Sequence, residues 1–238
     1  MDRLQKLLTQ VKHIQAKNRV KLNEKKKRGE YFNVFSVLGL YSEEVQLHSA
    51  FIAELLNSKG LHGAGTKFLA AFIKQLTSAN SVEAFKALGQ LDLANTTVEV
   101  EYAIGDKVDG TNACDNTGGR IDILLTDGEH SLIIENKIFA VLQPQQLTRY
   151  HNYGKQKYAG KFDLVYLTLY GSDPSEDSVT GLSDTDYIRM SYAKDILCWL
   201  EDCAQIAYNL PLVRETINQY TTIIKKLTSQ DMDTEYKD

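Results

Sequence analysis

The stretch Ser131–Tyr150, SLIIENKIFAVLQPQQLTRY, decides how this chain reads. Leu132, Ile133 and Ile134 in a row mark a buried β-strand. Glu135, Asn136 and Lys137 follow in what should be the same strand, before Ile138 and Phe139 resume the apolar run. Taking an unpaired charge out of water is costly, so each of these groups needs a partner, a metal or a chemical role. Side chains alternate across a strand, which puts Glu135 and Lys137 on one face and Asn136 on the other.

The segment just upstream, RIDILLTDGEH, supplies a second strand and a turn. Asp127-Gly128 between two apolar runs predicts a β-hairpin. A two-residue loop would pair Thr126 with Glu129 and make Glu135 the diagonal neighbour of Asp122 on the same face. A four-residue loop, Asp127 to His130, would set Asp122 directly opposite Glu135. A three-residue loop would separate them. The Asp-Gly signal favours the even lengths, so Asp122, Glu135 and Lys137 are expected to form one polar cluster. Two carboxylates a few ångströms apart repel, and one would rather protonate than stay charged. A hard divalent cation removes that conflict, which suits Mg²⁺, or Mn²⁺ in its place. Lys137 would then orient a water or neutralise charge developing on a phosphoryl group. The bland alternative is a buried carboxylate–Lys137 ion pair with no metal.

The rest of the chain fits a mixed α/β domain. Of 238 residues 43% are hydrophobic and 24% charged, enough for one substantial domain with helical additions. The net charge of −4 says little about partners. Three cysteines, Cys114, Cys198 and Cys203, without regular spacing argue against a disulfide framework or a structural zinc site. No signal peptide or membrane-spanning apolar run is visible, so a cytoplasmic protein is expected. Residues 1–30, ending in KNRVKLNEKKKRGE, read as a basic helical arm, either simply solvated or touching nucleic acid. Residues 31–228 form the main domain, and 229–238 a frayed tail.

Within that domain, YSEEVQLHSAFIAELLNS predicts a helix with Ser42 as N-cap, and TKFLAAFIKQL a second helix. TTVEVEYAI predicts a strand in which Glu99 and Glu101 share a face. QPQQLTRYHNYGKQKY predicts a helix with Pro144 in its first turn. FDLVYLTLY and YIRMSY read as strands, and two amphipathic helices close the chain. GLHGAGTK is not a phosphate-binding loop: a helix precedes it and the Gly-Lys-Ser/Thr order is missing. His62 there is expected to be structural, and Trp199 to lie in the core.

Asp122 … Glu135-x-Lys137, with GGRID, the QLTRY segment (Gln146-x-x-x-Tyr150), LVYLTLYGSDPS and INQY, resembles the PD-(D/E)XK nuclease superfamily. It is similar to the RecB-like QxxxY branch and to the bacterial PD-(D/E)XK family 4, over roughly residues 35–225. Ile121 stands where the motif usually has Pro. The resemblance implies a restriction-endonuclease-like αβββαβ core, with a mixed central sheet flanked by helices. It implies Mg²⁺ (or Mn²⁺) on Asp122, Glu135 and the Asn136 backbone carbonyl, with Glu44 completing the shell. Glu44 is preferred to Glu43 because His48 lies four residues on. Lys137 would orient the attacking water, and Gln146, Tyr150 and Arg120 would contact substrate; His48 would either contact substrate too or be a core histidine that positions Glu44. The implied partner is nucleic acid, with DNA expected. A homodimer, or a defence-system partner protein, is left open. The competing function is a catalytically silent nucleic-acid-binding or protein-interaction module on the same fold.

Overall fold

The computed structural model describes residues 2–79, 85–108, 110 and 112–231. Among them, five strands form one sheet in the order β1-β2-β3-β4-β5. They are β1 (Thr97–Ala103), β2 (Arg120–Thr126), β3 (Ser131–Lys137), β4 (Phe162–Thr168) and β5 (Ile188–Ser191). The β1-β2-β3 pairs are antiparallel and the β3-β4-β5 pairs parallel. All seven residues of β4 are buried, as a strand covered on both faces requires.

Helices sandwich the sheet. On one face α3 (Ala50–Leu56), α4 (Lys67–Ala79), α6 (Leu197–Ile206) and α7 (Pro211–Leu227) pack against Ile123, Leu125, Leu132, Ile134, Val165 and Leu167. Trp199 is buried there, its ring edge-on to Phe72 and its indole N–H donating to the Phe68 carbonyl at 2.9 Å. On the other face α5 (Gln146–Tyr158) covers Leu124, Ile133, Leu164 and Tyr166 with Leu147, Tyr150 and Tyr158. This is the mixed sheet flanked by helices expected of a restriction-endonuclease-like fold.

The hairpin settles the register. Thr126 pairs with Ser131, so the loop is the four-residue one, Asp127 to His130. The Asp127 carboxylate closes it by accepting the Glu129 and His130 N–H groups at 2.9 and 2.7 Å, and Gly128 takes φ 97. Ile123 pairs with Ile134, and one step further along the ladder Asp122 falls opposite Glu135.

Two local expectations change and a third, for His62, holds. Ser42 is not the N-cap of the helix before α3: Glu43 holds that position, without a side-chain cap bond, and Glu44–Ser49 form a π-helical turn. The wide turn arises because the Leu47 and His48 N–H groups both bond the Glu43 carbonyl. Pro144 precedes α5 rather than sitting in its first turn. Gln145, at φ 58, bends the chain between them. His62 is structural: its ring bridges the Asn57 carbonyl and the Ala64 N–H at 2.8 and 3.0 Å.

At the ends, α1 (Asp2–Lys27) is one helix, and α7, ending at Leu227, is the last regular element among the described residues. Gln230 beyond it donates to the Ala193 carbonyl at 2.8 Å, and the expected frayed tail from 232 on lies outside the described residues. Among the described residues no helix is long and apolar enough to cross a membrane.

Candidate active site

The α5 face of the sheet gathers the cluster. Glu135 is fully buried, and its Oε1 accepts the Lys137 ammonium at 2.5 Å and the Gln146 amide at 2.7 Å. Its Oε2 is buried and receives no hydrogen bond from a donor while both carboxylates are charged. Asp122, opposite it, accepts the Asn136 backbone N–H at 2.7 Å, and Lys137 Nζ lies 3.8 Å from the same carboxylate oxygen. The two carboxyl groups are close enough to share a proton.

The electrostatics follow from burial and crowding. Burial, more than the Lys137 charge and the Asn136 N–H can offset, pushes Asp122 up to about 6. Glu135 is raised well above the usual carboxylate range, first by burial and then by Asp122. Burial works against the Lys137 ammonium, but Glu135 and Asp122 outweigh it and raise its pKa, so the ammonium persists. One cation therefore faces two carboxylates, and an unpaired oxygen remains inside. That donor set fits a small hard divalent ion: two carboxylates and a nearby carbonyl, with waters filling the other positions. Among the described residues no group of three or more His, Cys, Asp or Glu side chains forms a ready cage, so such an ion would keep several waters.

Gln146 and Tyr150 bond the site's own groups. Gln146 Nε2 donates to Glu135, while its Oε1 accepts the Gln143 N–H at 2.9 Å, much as a helix-capping side chain does. The Tyr150 hydroxyl accepts from Gln146 at 3.1 Å and donates to the Arg120 carbonyl. Both side chains are buried, so their visible work is to fix Glu135 and the start of β2. The Arg120 guanidinium itself is exposed and paired with Glu101 at 3.1 Å.

Glu44 reaches the end of β3 from the π-helical turn. Its Oε1 accepts the N–H groups of Ile138, Phe139 and Ala140 at 2.7, 2.7 and 3.0 Å. Burial would raise its pKa, but these three bonds and the Lys137 charge hold it below the usual range. The observed contacts of Oε1 thus brace the loop after Lys137. Of the two readings of His48, the core one fits its surroundings. Its ring is fully buried, with Nδ1 on the Tyr220 hydroxyl at 2.9 Å and Nε2 on the Tyr41 carbonyl at 3.1 Å, so it does not face a substrate. Burial lowers its pKa to about 4 and keeps it neutral.

The sequence reading missed Ser49, Tyr192 and Tyr220. On the far face of β3 the Asn136 amide donates to Ser49 at 3.0 Å and accepts from the Tyr192 hydroxyl at 2.9 Å. Tyr192 and Tyr220 interact in turn, joining Asn136 to His48. The signal available was Asn136 itself, since a buried amide must be satisfied. Glu101 lies between the β1 residues that pair with Ile123 and Ile121, which sets it opposite Asp122. It has φ 57, a conformation that strains a non-glycine residue, and its charge adds to the upward pressure on Asp122.

A family model described as the PD-(D/E)XK nuclease superfamily matches residues 32–222. No curated protein and no solved structure gave a match. The matched span includes all five strands, the Asp122–Glu135–Lys137 cluster and α5. The chain therefore belongs to the PD-(D/E)XK nuclease superfamily, whose activity is the hydrolysis of phosphodiester bonds in nucleic acid.

Proposed function

We propose that the protein is a Mg²⁺-dependent nuclease acting on DNA, with Asp122, Glu135 and Lys137 at its centre. The observation that carries this reading is the buried, unpartnered Oε2 of Glu135 beside Asp122. Asp122, Glu135 and the Asn136 carbonyl would hold Mg²⁺, or Mn²⁺, with Glu44 at the edge of the shell. When bound, the ion supplies positive charge against both carboxylates and against the phosphate at which substitution occurs.

The chain's own groups do the positioning. The Asn136 N–H fixes Asp122, and Gln146 fixes one oxygen of Glu135, while the other meets no donor. Tyr150 ties α5 to the Arg120 carbonyl and so holds the helix on the start of β2. Lys137 donates to the attacking water or to a phosphate oxygen, aligned in the site at little cost of reorganisation. Glu44 fixes the loop that follows Lys137 and so limits the directions the ammonium can take.

The test is incubation of supercoiled, linear duplex and single-stranded DNA, and of RNA, with Mg²⁺, Mn²⁺ or EDTA. Wild type is compared with Glu135→Ala and Lys137→Ala. Metal-dependent cutting of DNA that both substitutions abolish is the expected result. Cutting of RNA alone would move the substrate assignment. No cutting, together with no Mg²⁺ binding by calorimetry, would favour the silent binding module.

A further inference from the structure

The charge of the chain is split between its ends. Residues 2–30 hold ten Lys and Arg against three Asp and Glu, a net of +7. The whole chain has net charge −4, so the remainder carries −11. That remainder includes the whole span matched by the family, residues 32–222, and its site is itself acidic. A body of this charge repels a polyanion until something recruits it.

The helix α1 has the opposite sign and lies open to solvent along nearly its whole length. Its two halves differ. Leu4, Leu7, Leu8, Val11 and Ile14 are exposed in the first half. Lys17, Arg19, Lys21, Lys25, Lys26, Lys27 and Arg28 crowd the second, with Glu24 as the one acidic residue among them. Lys17, Lys21 and Lys25 are spaced four apart and share one helix face, an arrangement that destabilises an isolated helix unless anions meet it. Arg28 is engaged with Glu30 at 2.6 Å. Lys17, Arg19, Lys21, Lys26 and Lys27 have no ion-pair partner among the described residues. From Lys17 to Arg28 the basic stretch runs about 16 Å along the helix axis, long enough to meet several phosphates of one strand or duplex.

We propose that the basic half of α1, Lys17 to Arg28, is a phosphate-backbone grip that recruits nucleic acid to the acidic nuclease body. The proposal rests on the nucleic-acid substrate assigned under the proposed function. It concerns backbone charge, not base sequence, so it applies to DNA of any sequence. The basic half has few apolar residues of its own, Val20 and Leu22, which disfavours a membrane-lying helix there.

The experiment measures binding of labelled duplex and single-stranded oligonucleotides by anisotropy in EDTA, from 50 to 200 mM salt, for the full chain. One variant combines Lys17→Gln, Arg19→Gln, Lys21→Gln, Lys26→Gln and Lys27→Gln. A control combines Leu4→Gln, Leu7→Gln and Leu8→Gln. Circular dichroism and thermal melting check that each folds. The basic variant is expected to raise Kd about tenfold or more and to flatten the slope of log Kd against log salt by about 0.9 for each phosphate that is no longer neutralised. With Mg²⁺ its KM should rise while kcat at saturating DNA is kept, and the leucine control should bind as wild type. If the basic variant binds and cuts like wild type, the grip is wrong and the nuclease assignment stands. If it loses binding while the wild type binds but never cuts, the grip stands and the nuclease assignment falls. If the wild type neither binds nor cuts, both fall. Sedimentation of the full chain with phosphatidylserine vesicles, lost in the basic variant while DNA binding is kept, would make the arm a membrane contact and overturn the proposal.

Discussion

The two faces of β3 meet opposite fates. On one, Glu135 and Lys137 stand with Asp122 in a group whose charges do not balance and whose Glu135 Oε2 has no partner. On the other, Asn136 has its amide hydrogen-bonded to Ser49 and Tyr192, and His48 behind it has both ring nitrogens occupied. Neighbouring residues of one strand thus carry equally polar side chains into burial, yet only one face is left in deficit. A polar group buried for stability is satisfied, because leaving it unsatisfied is expensive. A buried group left short of a partner is available for chemistry. The same contrast sorts the residues around the site: Gln146, Tyr150 and Glu44 use their observed bonds to hold the site's walls.

The contrast can be broken by substitution, and the largest effect should come from the unbalanced face. Lys137→Ala is expected to lower kcat by about 10²–10³-fold and, because it removes the cation beside two buried carboxylates, to lower the melting temperature as well. Glu135→Gln should also abolish metal-dependent cutting, yet it removes a carboxylate–carboxylate repulsion, so its melting temperature without metal should equal or exceed that of wild type. Cleavage assays and thermal melts in EDTA check both. A sharp fall in the stability of Glu135→Gln would mean that the cluster is a structural ion pair.

The balanced face should answer to pH instead. His48 titrates near 4 in the folded chain against an ordinary value of 6.5. Above pH 6.5 it is neutral in both states and contributes no pH dependence. As pH falls through 6.5 the unfolded chain takes up a proton that the buried ring refuses, so stability declines, and the decline levels off below about 4. The full loss is about 3 kcal/mol. Asp122 and Glu135, with raised pKa values, act in the opposite sense over the same range, so the ring is read from the difference: in urea titrations from pH 7.5 to 4, wild type should lose stability relative to His48→Gln as pH falls through 6.5. Equal slopes would place the acid sensitivity elsewhere.

A smaller effect tests whether the two faces are linked. Tyr192→Phe removes the donor to Asn136 Oδ1 and leaves that amide oxygen unpaired, at a cost of about 1–3 kcal/mol. Since the Asn136 N–H holds Asp122, the variant should also lose activity, but only by severalfold, and through kcat rather than KM. Urea melts and steady-state kinetics on the one variant read both quantities. A stability loss with unchanged kcat would show that the far face supports the fold alone.

The sequence by itself determined the order of elements, the antiparallel pair around Asp127-Gly128, and the sharing of one face by Glu135 and Lys137. These depend on periodicity and turn chemistry, which are local. It narrowed the relation of Asp122 to Glu135 to two even-length loops, and the Asp127 carboxylate, capping the Glu129 and His130 N–H groups, selects the longer. Only the tertiary structure decided what each side chain touches. The Glu44 carboxylate meets amides 94 to 96 residues away, Asn136 meets Ser49 at a separation of 87, and His48 meets Tyr220 at 172. No spacing rule reaches that far. The residue type shows that a buried polar atom needs a partner, and the packing of distant segments decides which one it finds or whether, like Glu135 Oε2, it is left without one.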